Sequence, residues 1–280
     1  MYKKIVLAII SICAFVFVIY FIQKEPITTM KYFPIDESHY FAKAATYILY
    51  LQSDENHNVQ WITESKSNKN SYLRQDISLL YENGKFKGIQ NKWEQNVTEI
   101  LLQQSYKQTK SSLLQTISFH HGEIHYKDES IKSIQKMTND HLYFVNSDEE
   151  ITTFHTPSTK TDKKWAKTLN HITKKHLVND WNDIIEHYGI QRKNYVEIPL
   201  TALFQFDEQP ITGLSMKETD QIIGQLWEGI YENYVTLLTD NSKQHAHSVP
   251  LILMAKDNSH LLVLFQLNDE KFKLIQKFPS

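Results

Sequence analysis

The chain has 280 residues, 41% of them hydrophobic, which is enough to bury the core of one large or two ordinary domains and excludes a disordered tail. Its formal net charge is -2 and its only arginines are Arg74 and Arg192, so there is no electrostatic or bidentate basis for binding nucleic acid. Seven glycines, with neither GxxxxGK[ST] nor GxGxxG, leave no phosphate cradle for a nucleotide, and the lone Cys13 excludes an intramolecular disulfide and a CxxC redox centre.

Residues 5–22 form an uncharged run of 18 behind Lys3 and Lys4. At ~1.5 Å per residue the run covers ~27 Å, enough to cross a bilayer core. A transmembrane signal-anchor helix is therefore predicted over residues 5–23, after a cytoplasmic stretch at 1–4. A cleaved signal fits less well, because the nearest small-x-small site, Ala42-Lys43-Ala44, lies about twenty residues beyond the run. Lysine bias predicts the N-terminus inside and the remainder outside. The expected localisation is a single-pass protein of the cell membrane, partnered by the lipid bilayer through residues 5–23.

Residues 24–35, with Pro26 and Pro34, read as a tether to a first half at 36–155. Phe41, Ala44, Ala45, Ile48, Leu49 and Gln52 recur at helical spacing behind Asp36, which predicts a helix over 37–52. Residues 71–81 and 86–93 flank Glu82-Asn83-Gly84-Lys85, where Asn-Gly supplies the positive φ angles of a type I′ hairpin. A second pairing is predicted between 113–120 and 123–127 around Gly122, then a short helix from Asp128 or Ser130 through Met137 and a strand at 141–145.

Polar residues 156–162 read as a linker to a second half at 163–280. That half opens with helical spacing from Trp165 to Tyr188, closed by Gly189. Residues 195–207 read as a strand that Pro199 demotes to an edge or a bulge. Ser215-Met-Lys-Glu218 is a capping box, continued by the stripe Ile223, Trp227, Ile230, Tyr234 and Leu237. Residues 249–255, 260–267 and 272–278 form a three-strand meander. The predicted fold class is α+β: an N-terminal transmembrane helix followed by antiparallel hairpins and sheet packed with helices, in two halves.

For chemistry, His121, Glu123 and His125 stand two apart on a strand and share a face, and imidazole with carboxylate is a zinc or iron ligand set. These three are the candidate metal ligands, although a turn at Gly122 would break their alternation. His245 and His247 fall in a loop. Asp180, Asp183 and Glu186 form the charged face of a helix, and Ser133-Ile-Gln-Lys136 matches SxxK without the accompanying KTG. No catalytic residue and no cofactor follow from these patterns. The expected function is a membrane-anchored, extracytoplasmic binding, sensory or accessory protein of the bacterial cell envelope, with an envelope protein or a wall polymer as partner. The alternative is an anchored metal-dependent hydrolase of a cell-wall polymer or peptide.

Overall fold

Burial alternates along residues 46–51: Thr46 and Ile48 are buried, while Tyr47, Leu49 and Leu51 are 38%, 39% and 44% exposed. A period of two belongs to a strand, and β1 (Phe41–Gln52) stands where a helix was expected. Its β-branched and aromatic residues favour the pleated form, and apolar side chains on both faces imitated a helical stripe. Asp36 does accept two N–H groups, from Ser38 at 2.7 Å and His39 at 2.8 Å, but at the approach to a strand.

The computed structural model describes residues 30–52, 57–147, 150–240 and 248–278. β2 (His57–Glu82), β3 (Lys85–Lys107), β4 (Ser112–His125), β5 (Ile131–Asn146) and β6 (Ile151–Phe154) join β1 in a six-stranded sheet. β3 follows β2 along almost its whole length; on the other edge of β2, residues 57–67 pair with β1 and residues 73–82 with β4. A register shift between Lys66 and Ser71 interrupts the β2 ladder as the sheet curls into a half-barrel. The Asn83-Gly84 turn has the expected positive φ angles, 51° and 78°. β4 runs unbroken through Gly122, which pairs with Arg74 and Ile134, because the chain turns later, at residues 126–130. The hairpin expected around Gly122 and the helix expected up to Met137 are thus both strand.

The second sheet has the order β10-β9-β8-β7, from β7 (Tyr195–Pro199), β8 (Leu251–Ala255), β9 (His260–Leu267) and β10 (Glu270–Lys277). Its last three strands are the expected meander, and Pro199 ends the edge strand β7. α1 (Lys160–His187) starts from a Thr159/Asp162 capping box, so its first turn lies within the stretch read as a linker. α2 (Met216–Ile230) carries the expected Ser215/Glu218 box and passes through a π turn, Tyr231–Val235, into α3 (Thr236–Asp240). The helical stripe reaches both sheets: Trp227 stacks on Phe119 of β4 at 4.9 Å, and Tyr234 meets Phe265 of β9 at 5.1 Å.

Residues ahead of β1 are strapped to α2, with the Tyr32 N–H donating to Glu228 Oε2 at 3.1 Å. A Cβ on Gly224 would collide with the Tyr32 ring and lie 2.6 Å from Gln135 Oε1. Gly224→Ala is therefore expected to destabilise by about 1–3 kcal/mol, against the better helix propensity of alanine. Urea unfolding reads this as a lower midpoint, and a midpoint at or above wild type contradicts the packing.

Two expectations need correction. The α+β class gives way to a mostly antiparallel β architecture with three α-helices among the described residues. The helix expected over residues 5–23 lies outside the described residues, and among those described no helix is long and apolar enough to cross a membrane. The single-pass localisation is withdrawn on that finding, which concerns helices only.

Candidate functional site

Strand alternation sends Arg74, Asp76 and Ser78 of β2 and Thr116, Ser118 and His120 of β4 into the half-barrel, where all six are buried. All five guanidinium N–H groups of Arg74 have acceptors. Nε donates to the His121 carbonyl at 3.3 Å, Nη1 to Ser67 Oγ at 3.1 Å and the Thr98 carbonyl at 2.8 Å, and Nη2 to Ser65 Oγ and to Asp76 Oδ1 at 3.4 Å. Asp76 Oδ2 accepts from the Ser65 hydroxyl at 2.5 Å and lies 2.8 Å from His120 Nδ1. His120 Nε2 is 2.9 Å from Thr138 Oγ1 on β5, and that hydroxyl is 2.6 Å from Thr46 Oγ1 on β1. Burial alone would raise the Asp76 pKa, but His120, Arg74 and Ser65 together hold the carboxyl below its ordinary value.

Carboxylate, imidazole and hydroxyl stand here in the order of a hydrolytic triad. Thr138 borders a hollow of about 470 Å³ at the edge of β5. Its hydroxyl, however, is bonded on both sides, and the carboxylate and imidazole have no exposed surface. The set instead ties β1 to β5, which share no backbone ladder among the described residues, helped by the Ile48 N–H donating to Asp140 at 2.7 Å.

His121, Glu123 and His125 do share the opposite face of β4, yet they do not converge. His121 is buried beside Phe119, with Gln75 and Gln135 in the flanking register positions. His125 is exposed and stacks on Tyr72 at 3.8 Å, with Glu123 at 3.3 Å from its Nε2. Among the described residues no group of three or more His, Cys, Asp or Glu is placed to hold a metal ion. Ser133 and Lys136 face apart, the first bonded to the Phe33 carbonyl and the second paired with Asp207. Asp183 pairs with Lys271 at 2.8 Å, and His245 and His247 lie outside the described residues.

Burial, with the Arg74 charge adding and Asp76 opposing, lowers the His121 pKa from 6.5 to about 4. The folded protein holds the ring neutral, so between these values the unfolded chain binds the extra proton and stability declines as pH falls from 6.5 toward 4. At ~1.4 kcal/mol per pKa unit the loss is on the order of 3 kcal/mol. Urea midpoints measured across that window are expected to fall in the wild type and to flatten in His121→Leu. An equally steep decline in the variant would assign the pH dependence elsewhere.

An accessible constellation lies outside the sequence candidates. A groove of about 610 Å³ runs between α2 and β10, over the buried side chains Leu226, Leu261 and Val263. Glu228, Gly229 and Glu232 line its helical side, and residues 273–276 line the other. The space beside Gly229 is open, since a Cβ there would meet nothing within 4 Å. The π turn that follows α2 contributes Glu232 and Asn233 to the lining, and such turns are frequent at functional sites. Glu228 and Glu232 have no Lys or Arg ion-pair partner among the described residues, and β10 is the outer strand of its sheet. A second hollow, of about 570 Å³, lies beside Tyr32, Lys132, Lys217 and Asp220. The sequence signal for the groove was a glycine within an amphipathic helix, flanked on the solvent side by two acids.

No protein-family model matches the chain, and no curated protein matches it. Among solved structures, the chain is similar to the crystal structure of Bacteroides uniformis beta-glucuronidase at 13% identity and a TM-score of 0.27. The similarity covers 43% of this chain and 16% of that one, a likeness too slight to carry an argument about fold or function.

Proposed function

We propose that this chain is a binding module whose recognition surface is the groove between α2 and β10, and that its partner is a polypeptide. The carrying observation is that this groove combines an apolar base, two acids without ion-pair partners among the described residues and the edge of a sheet. The groups best suited to chemistry, Asp76 and His120, are meanwhile saturated and sealed in the half-barrel. Of the two partner classes expected, an envelope protein suits the groove better than a wall polymer, because a strand edge offers main-chain hydrogen bonds that a second polypeptide can complete. Glycine at 229 leaves space that a large side chain would occupy.

Selection of a displayed random peptide library on the full chain, repeated on Gly229→Trp, tests this. Enrichment on the wild type that disappears on a Gly229→Trp variant with an unchanged unfolding midpoint is the expected result. Peptides that bind both proteins alike, or no enrichment at all, overturn the proposal.

A further inference from the structure

We infer that the segment taken by this groove joins the second sheet as a fifth strand beside β10 and turns a basic side chain toward Glu228 and Glu232, an inference that rests on the binding reading above. The direction of the β10 backbone follows from its pairing with β9. The Phe278 N–H donates to the Ser259 carbonyl at 3.0 Å, one step beyond the Lys277–His260 pair. Hydrogen-bonded and non-bonded residues alternate in an antiparallel ladder, so Lys273 and Ile275 point their N–H and C=O groups away from β9. The Tyr188 hydroxyl confirms this phase, because it donates to the outward carbonyl of Lys271 at 2.6 Å. That bond also closes the edge at one end. Of the outward residues that remain, Lys273, Ile275 and Lys277, the first two line the groove.

Charge then selects the occupant. Lys271 is paired with Asp183, and the Lys273 ammonium lies 4.8 Å over the Tyr188 ring, both on the α1 side of β10. On the α2 side, Glu228 and Glu232 stand one helical turn apart without a cationic side-chain partner among the described residues, though Glu228 Oε2 holds the Tyr32 N–H. Side chains of an added strand alternate between these two sides. The ones facing α2 meet the apolar base and the two acids, which fits an apolar residue followed two positions later by Lys or Arg, whose long stem covers apolar surface while its charge reaches the rim. A second copy adding edge to edge is disfavoured, since it would bring Lys271, Lys273 and Lys277 against the same three lysines.

The probe is the synthetic peptide acetyl-Thr-Val-Thr-Lys-Thr-Val-amide, added at about 1 mM to the isotope-labelled full chain. Two-dimensional amide spectra are expected to shift at Lys273, Ile275 and Gly229. Exchanging the peptide lysine for glutamate, or Glu232→Lys in the protein, is expected to weaken binding about fivefold or more. N-methylation of the peptide should divide by position: one alternate set of amides abolishes binding and the other is tolerated. Tolerance of methylation at every position, with shifts still centred on the groove, overturns strand addition and leaves the binding module standing. An equally tight glutamate peptide overturns the basic side chain. No shift at β10 with this probe also overturns the inference, and the display selection on Gly229→Trp then decides separately whether the groove binds peptides at all.

Discussion

Asp76→Ala is expected to cost about 3–5 kcal/mol of folding stability, a large share of the roughly 5–15 kcal/mol that holds a typical protein together. The cost comes from what remains: Arg74, with no exposed surface, loses its only carboxylate, and His120 loses the acceptor at 2.8 Å. Removing both charges is expected to be milder. Arg74→Met with Asp76→Leu leaves no orphaned ion, so the pair should recover at least half of the loss, with the remainder due to unsatisfied Ser65, Ser67 and Thr98 partners. Urea midpoints of Arg74→Met, Asp76→Leu and the double variant give the coupling. A cost below about 1 kcal/mol for Asp76→Ala would mean that water reaches the cluster and that the half-barrel is not sealed. The same carboxylate sets an acid limit. Its pKa is held low in the fold, so its contribution is complete above the ordinary carboxylate range and is lost as pH falls through the lowered folded value.

Trp227→Ala is expected to cost about 3–5 kcal/mol through the cavity it leaves. The indole is fully buried, lies nearly parallel to Phe119 at 4.9 Å, and aims Nε1 at the Met137 sulfur at 3.3 Å. It therefore anchors α2 on the first sheet, beside the Gln135 amide that donates to the Asp220 carbonyl at 2.8 Å. Trp227→Phe keeps the stacking and most of the volume and should recover the larger part of the loss. Equal losses for Ala and Phe would point to the Met137 contact rather than to packing as the source. Because α2 forms one wall of the groove, the alanine variant is also expected to weaken peptide capture before global unfolding, visible as loss of binding at temperatures where the second sheet is still protected from amide exchange.

The turns and caps of this fold were legible because single residues decide them. Asn83-Gly84 requires positive φ, and the Ser215/Glu218 box ends the search for a helix start. What misled was the first sheet. In β1 the exposed Tyr47, Leu49 and Leu51 put apolar residues on the solvent face, which destroyed the alternation that marks a half-buried strand. In β2 and β4 the inverse occurred, for the inward residues Arg74, Asp76, Ser78, Thr116, Ser118 and His120 are polar and imitate a solvated face. A polar interior can be read only once its partners are known, and those partners come from five strands up to 92 positions apart. The expected metal ligands did share a strand face, but a shared face places side chains in a row and not around a point. The groove was invisible for a similar reason: its two walls, near residues 228 and 274, become neighbours only through the pairing of the second sheet.

If recognition happens at the α2–β10 groove and the charged cluster in the half-barrel only holds strands together, a bound peptide alters β10 and leaves the cluster untouched. Amide hydrogen exchange of the full chain, with and without the peptide most enriched by display selection, tests it most directly. Slowed exchange is expected at Lys273 and Ile275, whose N–H groups face away from β9, with Asp76, His120 and Thr138 unchanged. Slowing confined to the β5 edge around Thr138, or to the hollow beside Lys132 and Lys217, with β10 unaffected, would contradict it.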